Sequence, residues 1–308
     1  MKLGMNAQYH RMAARLTLIG ALAATVQLIW APPALAKSVL DDGKMVLTNG
    51  VSTIEGTSGG GLATWSTIAG RETSIGLGIS AHATVVALPD YTWQSYGVAL
   101  GIHDRIELSY ARQVLDTRHV GSALGLGAGY KLRQDVLGTK LRLIGDLVYG
   151  PTWLPQISVG AQFKHSLNRP LDLAVGAHSA SGTDFTLSAT KLLLGPSILV
   201  DGTLRLTKAN QQGLLGFGST TGVSGQGGRT LTFEGSIAYQ ISRRTVIGGE
   251  YRTKPSHLRF AREDDWKDVF VTHALTRNLT VTAAYVDLGS IATYQNQRGG
   301  MLSAQLGF

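Results

Sequence analysis

The chain has 308 residues, with 28 basic and 20 acidic side chains and no cysteine. The lack of cysteine excludes disulfide bridges, thiolate chemistry and a lipid-modified cysteine anchor. Of the eight excess positive charges, three lie in the first 36 residues, so five remain for the rest of the chain. An excess this small and this scattered argues against a nucleic-acid-binding surface.

The first 36 residues have the pattern of a cleaved signal peptide. A basic leading segment precedes the uncharged apolar run LTLIGALAATVQLIW, and the small residues Ala34 and Ala36 follow as a cleavage site. The run is short for a membrane-spanning helix, and a retained N-terminal anchor helix is the alternative. We expect a cleaved signal peptide over 1–36, and a single domain over 37–308.

Beyond this leader, apolar and polar residues alternate along most of the chain. In SIGLGISAHATVVAL the apolar face runs from Ile75 to Ala87, opposite serine, glycine, histidine and threonine. The segments QISVGAQFKH and RTLTFEGSIAYQIS repeat the pattern. A period of two predicts β-strands with one apolar and one polar face.

These runs, taken with the turns between them, predict sixteen strands. They are 45–54, 60–70, 74–87, 91–102, 105–115, 122–132, 138–149, 156–165, 171–179, 183–194, 197–207, 229–241, 245–254, 267–275, 279–288 and 299–308. Without the weaker runs the count is 14 or 12, so we expect an all-β fold of 12–16 antiparallel strands, an even number.

Two arrangements could cover the apolar faces. In a soluble sandwich, or a secreted solenoid, they meet other protein, whereas in a transmembrane up-and-down β-barrel they meet lipid and the polar faces line the interior. The runs approach the roughly 9–11 residues that cross a bilayer, which favours the barrel. The polar faces also carry charges of both signs, typical of a wet interior. We therefore predict lumen and selectivity residues at Glu107, Lys140, Arg142, Asp146, Lys164, Arg205, Glu234 and Glu250.

The C-terminal residues favour the same arrangement. The segment LSAQLGF alternates and ends on Phe308, which resembles the signal that the outer-membrane assembly machinery reads on barrel proteins. Leu302, Leu306 and Phe308 would form this assembly signal, with the lipid bilayer as the neighbour of their face. Lys191 departs from the pattern, since it falls on the apolar face and would have to snorkel to a rim or mark a bulge.

Several stretches resemble a proteobacterial family of unknown function, domain-of-unknown-function family three-zero-three-four. They are GKMVLTNGVSTIEGTSGGGL, YGVALGIHDRIELSYARQ, LPQISVGAQFK, SGTDFTLSATKLLL, TKANQQGLLGFG, EYRTKPSHLRFAREDDWKD and TAAYVDLG, which together span nearly all of the chain after the leader. The resemblance implies an outer-membrane β-barrel without an assigned activity, cofactor or functional residue.

The densest charge cluster lies in KPSHLRFAREDDWKD. Its members are Arg259, Arg262, Glu263, Asp264, Asp265, Lys267 and Asp268. The carboxylates could gather a hard cation such as Ca²⁺, but interleaved basic residues and the lack of a calcium-loop spacing favour a salt-bridged loop without a metal. Folded inward, this loop would narrow a pore.

Other patterns give no convincing catalytic or cofactor site. The glycines between 121 and 129 lie without a following amphipathic helix, so they do not predict a dinucleotide loop. His82, His165 and His178 have no serine or acid placed by spacing as a catalytic partner. We expect no cofactor and no enzymatic activity.

The sequence as a whole predicts a passive pore, or facilitated-diffusion channel, for small polar solutes in the outer membrane of a Gram-negative bacterium. Two alternatives stay open. One is an outer-membrane hydrolase acting on lipid or peptide, and the other is a structural or adhesive barrel with a plugged interior.

Overall fold

The computed structural model describes residues 43–44, 47–220, 228–259 and 261–308. The predicted signal peptide, residues 1–36, lies outside the described residues. Among those described, no helix is long and apolar enough to cross a membrane.

The described residues form a closed antiparallel barrel of twelve strands, in which each strand pairs with its neighbours in sequence and the last pairs with the first. Two short strands precede it and pair with each other, β1 (Val51–Ser52) and β2 (Ser58–Gly59). The barrel strands are β3 (Leu77–Ala87), β4 (Thr92–Ile102), β5 (Ile106–Asp116), β6 (Lys131–Ile144), β7 (Gln156–Ser166), β8 (Ser181–Leu193), β9 (Ile198–Thr207), β10 (Thr230–Ser242), β11 (Thr245–Arg252), β12 (Trp266–Ala274), β13 (Leu279–Asp287) and β14 (Arg298–Gly307).

The two faces of the barrel differ as the alternation predicts. Large apolar side chains point outward and are exposed, for example Leu137, Phe163 and Phe233, at 54%, 46% and 46%. Polar side chains on the other face of the barrel strands point inward and are buried, including Ser80 and His82 of β3 and Glu234 of β10. A closed barrel removes unpaired strand edges, and an apolar outer belt over such a barrel is the architecture of an outer-membrane protein.

Strand connections alternate between two rims. We call the end where β3 begins and β14 ends the turn rim, and its connections are 103–105, 145–155, 194–197, 243–244 and 275–278. We call the opposite end the loop rim, and its connections are 88–91, 117–130, 167–180, 208–229, 253–265 and 288–297. Two short α-helices lie in the loop-rim connections, α1 (Val120–Ala123) and α2 (Arg169–Ala174), together with a 3₁₀ helix at Gln211–Gly213.

A segment ahead of the first barrel strand fills the barrel. Residues 49–72, which we call the plug, are all buried and include β1 and β2. The plug enters from the turn rim, where Lys44 lies beside Asp104, and it leaves at the same rim, where Arg71 N donates to Phe308 O at 3.1 Å. It is therefore a re-entrant loop with both ends on one side.

The direct count of sixteen strands exceeds the twelve strands of the barrel by four, for three reasons that are visible in the structure. The predicted strands 45–54 and 60–70 fall largely in the plug, where glycine, serine and threonine make both faces suitable for a polar interior. The first four residues of the predicted strand 171–179 belong to α2. This helix has Pro170 in its first turn, where proline is favourable. The predicted strands 122–132 and 138–149 are one strand, β6.

The polar stretch inside β6 explains the last error. Arg133, Gln134 and Asp135 look like a turn in sequence, but Gln134 points inward, donating to Gln113 Oε1 at 2.8 Å. Asp135 points outward and binds Arg112 of β5 at 2.7 Å. Both side chains are satisfied by a neighbouring strand or by the interior, so the strand continues through them.

Candidate functional site: the filled barrel interior

Glu55 of the plug lies at the centre of an ion-pair network with the barrel wall. Its carboxylate is fully buried and binds Lys164 of β7, Arg205 of β9 and Arg252 of β11. The Arg205 contact is 3.1 Å, and the two Arg252 nitrogens lie 3.0 and 3.1 Å from the two carboxylate oxygens. Burying a carboxylate is tolerated only with such partners, so Glu55 fixes the plug to three separate strands.

The three cations also bind carboxylates of the wall itself. Asp184 of β8 lies 2.7 Å from Lys164 and 3.2 Å from Arg205. Glu234 of β10 lies 2.5 Å from Arg205 and 3.3 Å from Arg252. Within contact distance, these three cations meet two wall carboxylates, and Glu55 is the third carboxylate, which makes the charges of the network equal in number.

Other wall carboxylates hold the backbone of the plug. Glu250 accepts from Leu62 N at 2.7 Å, and Glu234 accepts from Thr64 N at 2.8 Å. Glu107 accepts from Ala69 N at 2.8 Å and Ser58 N at 3.1 Å. Backbone N–H groups that would be orphaned in a loop are thereby satisfied by the wall.

Lys140 and Gly60 show how closely the plug fits. The Lys140 ammonium donates to Ser58 O and Thr67 O, both at 2.9 Å, and lies 3.6 Å from Glu107. A Cβ built on Gly60 would lie 1.9 Å from a carboxylate oxygen of Glu250, so glycine is required for this approach.

Not all of the sequence-predicted lumen residues contact the plug. Glu107, Lys140, Lys164, Arg205, Glu234 and Glu250 are buried on the inward face and bind it. Arg142 and Asp146 lie instead at the turn rim, 3.0 Å apart, where Arg142 also pairs with Asp104. Selectivity for any of them stays a prediction.

A polar cavity of about 290 Å³ lies at the turn rim, beside the ends of the plug. Lys44, Glu72, Asp104, Arg142 and Asp146 are among its lining residues. Lys44 lies 2.8 Å from Asp104 and 3.5 Å from Glu72, and its ammonium donates to Ile68 O at 2.9 Å. Burial raises the pKa of Glu72 to about 7, although Lys44 opposes the shift.

The loop rim is closed by apolar packing. Ile54 and Leu62 from the plug join a cluster that includes Leu214, Leu258 and the edge-to-face pair of Trp93 and Trp266, with ring centroids 5.3 Å apart. An apolar cavity of about 130 Å³ lies within this rim, bounded by side chains such as Leu115, Val120 and Leu214. The plug therefore supports the closure of the barrel at the loop rim.

The predicted charged loop is buried only in part, and most of its charged side chains have polar partners. Glu263 is buried, lies 2.9 Å from Lys254 and accepts from Gln211 N at 2.8 Å. Among the basic members, Arg259 is exposed, Arg262 lies 3.8 Å from Asp264, and Lys267 lies 3.7 Å from Asp287. Asp264 also binds Ser290. Asp265 accepts a hydrogen bond from Lys254 N at 3.0 Å, and Asp268 accepts one from Glu250 N at 3.1 Å. No group of three or more metal-ligating side chains occurs within the described residues.

His82, His165 and His178 each have partners other than a serine and an acid arranged as a catalytic triad in the part of the chain that the structure describes. His82 Nε2 lies 3.2 Å from Ser95 Oγ, but the Ser95 hydroxyl donates to Ile54 O of the plug at 2.7 Å. His165 Nδ1 lies 2.7 Å from Ser181 Oγ, and His178 N donates to Phe217 O at 3.0 Å. The His82–Ser95 pair was missed in sequence because its members face each other across β3 and β4.

Lys191 and the chain end take up positions near the turn rim. The Lys191 ammonium donates to Asp146 O at 3.0 Å and Tyr149 O at 3.2 Å, so the side chain reaches the rim connection 145–155. The backbone of Phe308 pairs in both directions with Ile79, at 2.8 and 2.9 Å. Leu302 and Leu306 are half-buried on the outer face of β14.

Sequence reasoning missed Glu55, Asp184 and Arg252 as members of the central network. Asp184 and Arg252 could have been found from the inward register of β8 and β11. For Glu55 the available signal is its isolation, since it is the one charged residue between positions 45 and 70. A lone carboxylate in a glycine-, serine- and threonine-rich segment suggests a buried partner elsewhere.

Residues 48–305 match a family described as "Protein of unknown function (DUF3034)". The chain belongs to this family. The match confirms the resemblance found in the sequence, and the family description assigns no activity. No functionally curated protein matches the chain.

Solved structures of outer-membrane barrels are similar to the chain at low identity. The KdgM porin is 11% identical with a TM-score of 0.48, covering 74% of this chain and 99% of its own. The NanC porin is 9% identical with a TM-score of 0.47, covering 75% and 98%. Omp33 of Acinetobacter baumannii is 10% identical with a TM-score of 0.39, covering 75% and 97%. The similarity is one of barrel architecture and says nothing about a solute.

Proposed function

We propose that this protein is a gated outer-membrane channel whose passage is closed by its own plug. The observation that carries the proposal is the polar contact between plug and wall, centred on Glu55 and its three cations. A wall built from charged and hydroxyl side chains would fill with water if the plug left, whereas an apolar wall would stay dry or collapse.

The path of the chain supports release of the plug as a unit. Both of its ends lie at the turn rim, so the loop can leave without threading through the barrel. In outer-membrane barrels the short turns are periplasmic, which places release on the periplasmic side. Ile54 and Leu62 belong to the apolar cluster at the loop rim, so their departure would loosen that closure too.

Release of the plug from the barrel is rare as long as its contacts with the wall are intact. Each plug–wall hydrogen bond contributes a net of about 0.5–1.5 kcal/mol, and bonds to charged groups contribute more. Several such bonds hold the plug at Glu107, Glu234 and Glu250 alone. The channel is therefore closed until something weakens these contacts.

The remaining parts of the proposal follow from the sequence. The signal peptide over 1–36 exports the chain, and Leu302, Leu306 and Phe308 direct the assembly machinery of a Gram-negative outer membrane. The permeating solutes are small and polar. We propose no catalytic role, because the buried Ser95 hydroxyl donates its hydrogen bond to Ile54 O of the plug rather than to His82.

A permanently plugged structural barrel is the second candidate. The apolar cluster at the loop rim favours it, since this cluster adds a seal that a simple gate would not need. The two candidates differ in what happens when the plug is loosened.

Planar-bilayer recording of Glu55→Ala in the full chain tests the proposal. Breaking a buried ion pair costs about 3–5 kcal/mol, so we expect the open probability to rise at least about 100-fold over a nearly silent wild type. Heat-modifiable migration on a gel checks that the barrel is folded. A folded Glu55→Ala barrel without current steps would favour the structural barrel.

A further inference from the structure

The wall binds the Glu55 carboxylate in the way that a binding site holds a ligand. The carboxylate comes from a separate segment of chain, and both of its oxygens are bound by Lys164, Arg205 and Arg252. Arg252 binds it in the two-pronged manner by which guanidinium groups recognise carboxylates. We call Lys164, Arg205 and Arg252 the cation triad.

The cation triad is held in place by the wall and not by the plug alone. Arg205 donates to Gln162 Oε1 at 2.7 Å and to Glu234 Oε1 at 2.5 Å. Lys164 lies 2.7 Å from Asp184. These contacts come from the barrel strands, so the cations stay oriented toward the interior when the plug is displaced.

The contacts of the triad leave room for one more anion at this point. Asp184 and Glu234 are the two wall carboxylates in contact with its three positive charges, and Glu55 supplies the third negative charge. An unmatched buried cation is costly. Around Glu250, by contrast, the plug presents a neutral backbone N–H, that of Leu62. The demand for an anion is therefore local to the triad.

We infer that the cation triad is the solute-binding site of the channel, that it selects small organic carboxylates, and that Glu55 occupies it as a built-in competitor. The inference rests on the proposed gating function and adds the substrate class. A carboxylate solute that binds the triad would stabilise the displaced plug by mass action, which links solute binding to opening.

Chemical rescue in detergent tests the triad without requiring any current. Glu55→Ala removes the carboxylate and leaves space beside the triad. We expect acetate at about 100 mM to raise the unfolding temperature of this variant by at least about 2 °C, with little effect on wild type. Acetamide, which has the same shape without the charge, and chloride at equal ionic strength should have no such effect.

Two matched variants show whether the effect belongs to the triad. Adding Arg252→Gln to Glu55→Ala should abolish the acetate response, because the two-pronged partner is lost. Gly60→Ala, which disturbs the plug but keeps Glu55, should show no response. Equal stabilisation of Glu55→Ala by acetate and acetamide, or an acetate response that survives Arg252→Gln, would overturn the inference.

Ion selectivity then separates this inference from the gating proposal. Reversal potentials of Glu55→Ala in a potassium chloride gradient should show a preference for anions that falls at least about 3-fold when Arg252→Gln is added. Current with a preference for cations would overturn the carboxylate site while leaving the gate intact. Rescue by acetate in a barrel without current would support the site and contradict the gate.

Discussion

Glu72 lies at the end of the plug that leaves the barrel, and its side chain is fully buried beside Lys44. The negative charge of Asp104 is close enough to raise the pKa of Glu72 further. Three glycines, Gly70, Gly78 and Gly101, make room for its carboxylate, since a Cβ on any of them would lie 2.0–2.6 Å from a carboxylate oxygen. The side chain is therefore enclosed by backbone, and its charge is poorly compensated.

The ionisation of Glu72 makes the seating of the plug dependent on pH. Because burial raises its pKa from 4.5 to about 7, the seated plug binds a proton more tightly than the released plug. The resulting stabilisation is fully present below about pH 4.5 and is lost as the pH rises through 7, by at most about 3 kcal/mol.

We therefore expect the open probability to rise with pH. Measured in the Glu55→Ala background, it should increase at least about 10-fold from pH 5 to pH 8, and Glu72→Gln should flatten this profile. Single-channel recording across this range is the measurement. An unchanged pH profile in Glu72→Gln would assign the dependence to another group.

The plug depends on glycine where it approaches the wall. The segment from Ser58 to Gly61 carries three consecutive glycines, and Gly60 lies against Glu250, which accepts from Leu62 N at 2.7 Å. An added methyl group would push the segment away from this carboxylate and weaken that hydrogen bond.

Gly60→Ala should loosen the plug without changing any charge. We expect a rise of at least about 10-fold in open probability and a loss of about 1–3 kcal/mol in the free energy of unfolding, from overpacking. Gly195→Ala is the matched control, because a Cβ there would meet nothing within 4 Å. Identical behaviour of the two variants would show that close packing at Gly60 does not hold the plug.

Sequence periodicity predicted the strands well and the plug poorly. Alternation identifies β3, β10 and their neighbours because each is half apolar and half polar, which is a local property. The partners of Glu55 lie 109, 150 and 197 positions away, at Lys164, Arg205 and Arg252. No local pattern encodes such contacts, and so the plug was interpreted as two further strands.

The candidate site was predictable only in part, for the same reason. The inward register places Glu107, Lys140 and Glu234 in the interior, as the alternation of their strands indicates. Whether an interior is wet or filled depends on a segment from outside the barrel strands. The sequence favours a wet interior and leaves a plugged interior as an alternative. In the structure these charges, predicted to face water, bind the plug.

Taken as a whole, the molecule is a closed barrel with its own N-terminal segment folded inside it. The barrel is sealed by ionic contacts at its centre and by apolar contacts at the loop rim, and Ile54, Glu55 and Leu62 of the plug contribute to these seals. A single movement of the plug toward the turn rim would therefore break both.

A reversible cross-link between plug and wall can separate movement of the plug from every other effect of a mutation. A Cβ built on Gly56 would lie 2.7 Å from the Cβ of Ala111 on β5, close to disulfide distance. Gly56 has a φ of +88°, so a cysteine there strains the backbone, and the cross-linked protein is first checked for heat-modifiable migration as a folded barrel. The chain has no cysteine of its own, so Gly56→Cys with Ala111→Cys would introduce the sole pair of thiols.

The decisive measurement is the single-channel current of this double-cysteine pair in the Glu55→Ala background, recorded before and after reduction of the disulfide. We expect silence while the plug is cross-linked and discrete current steps once a reductant releases it. Equal current in the oxidised and reduced states, or silence in both from a folded barrel, would contradict a channel gated by its plug.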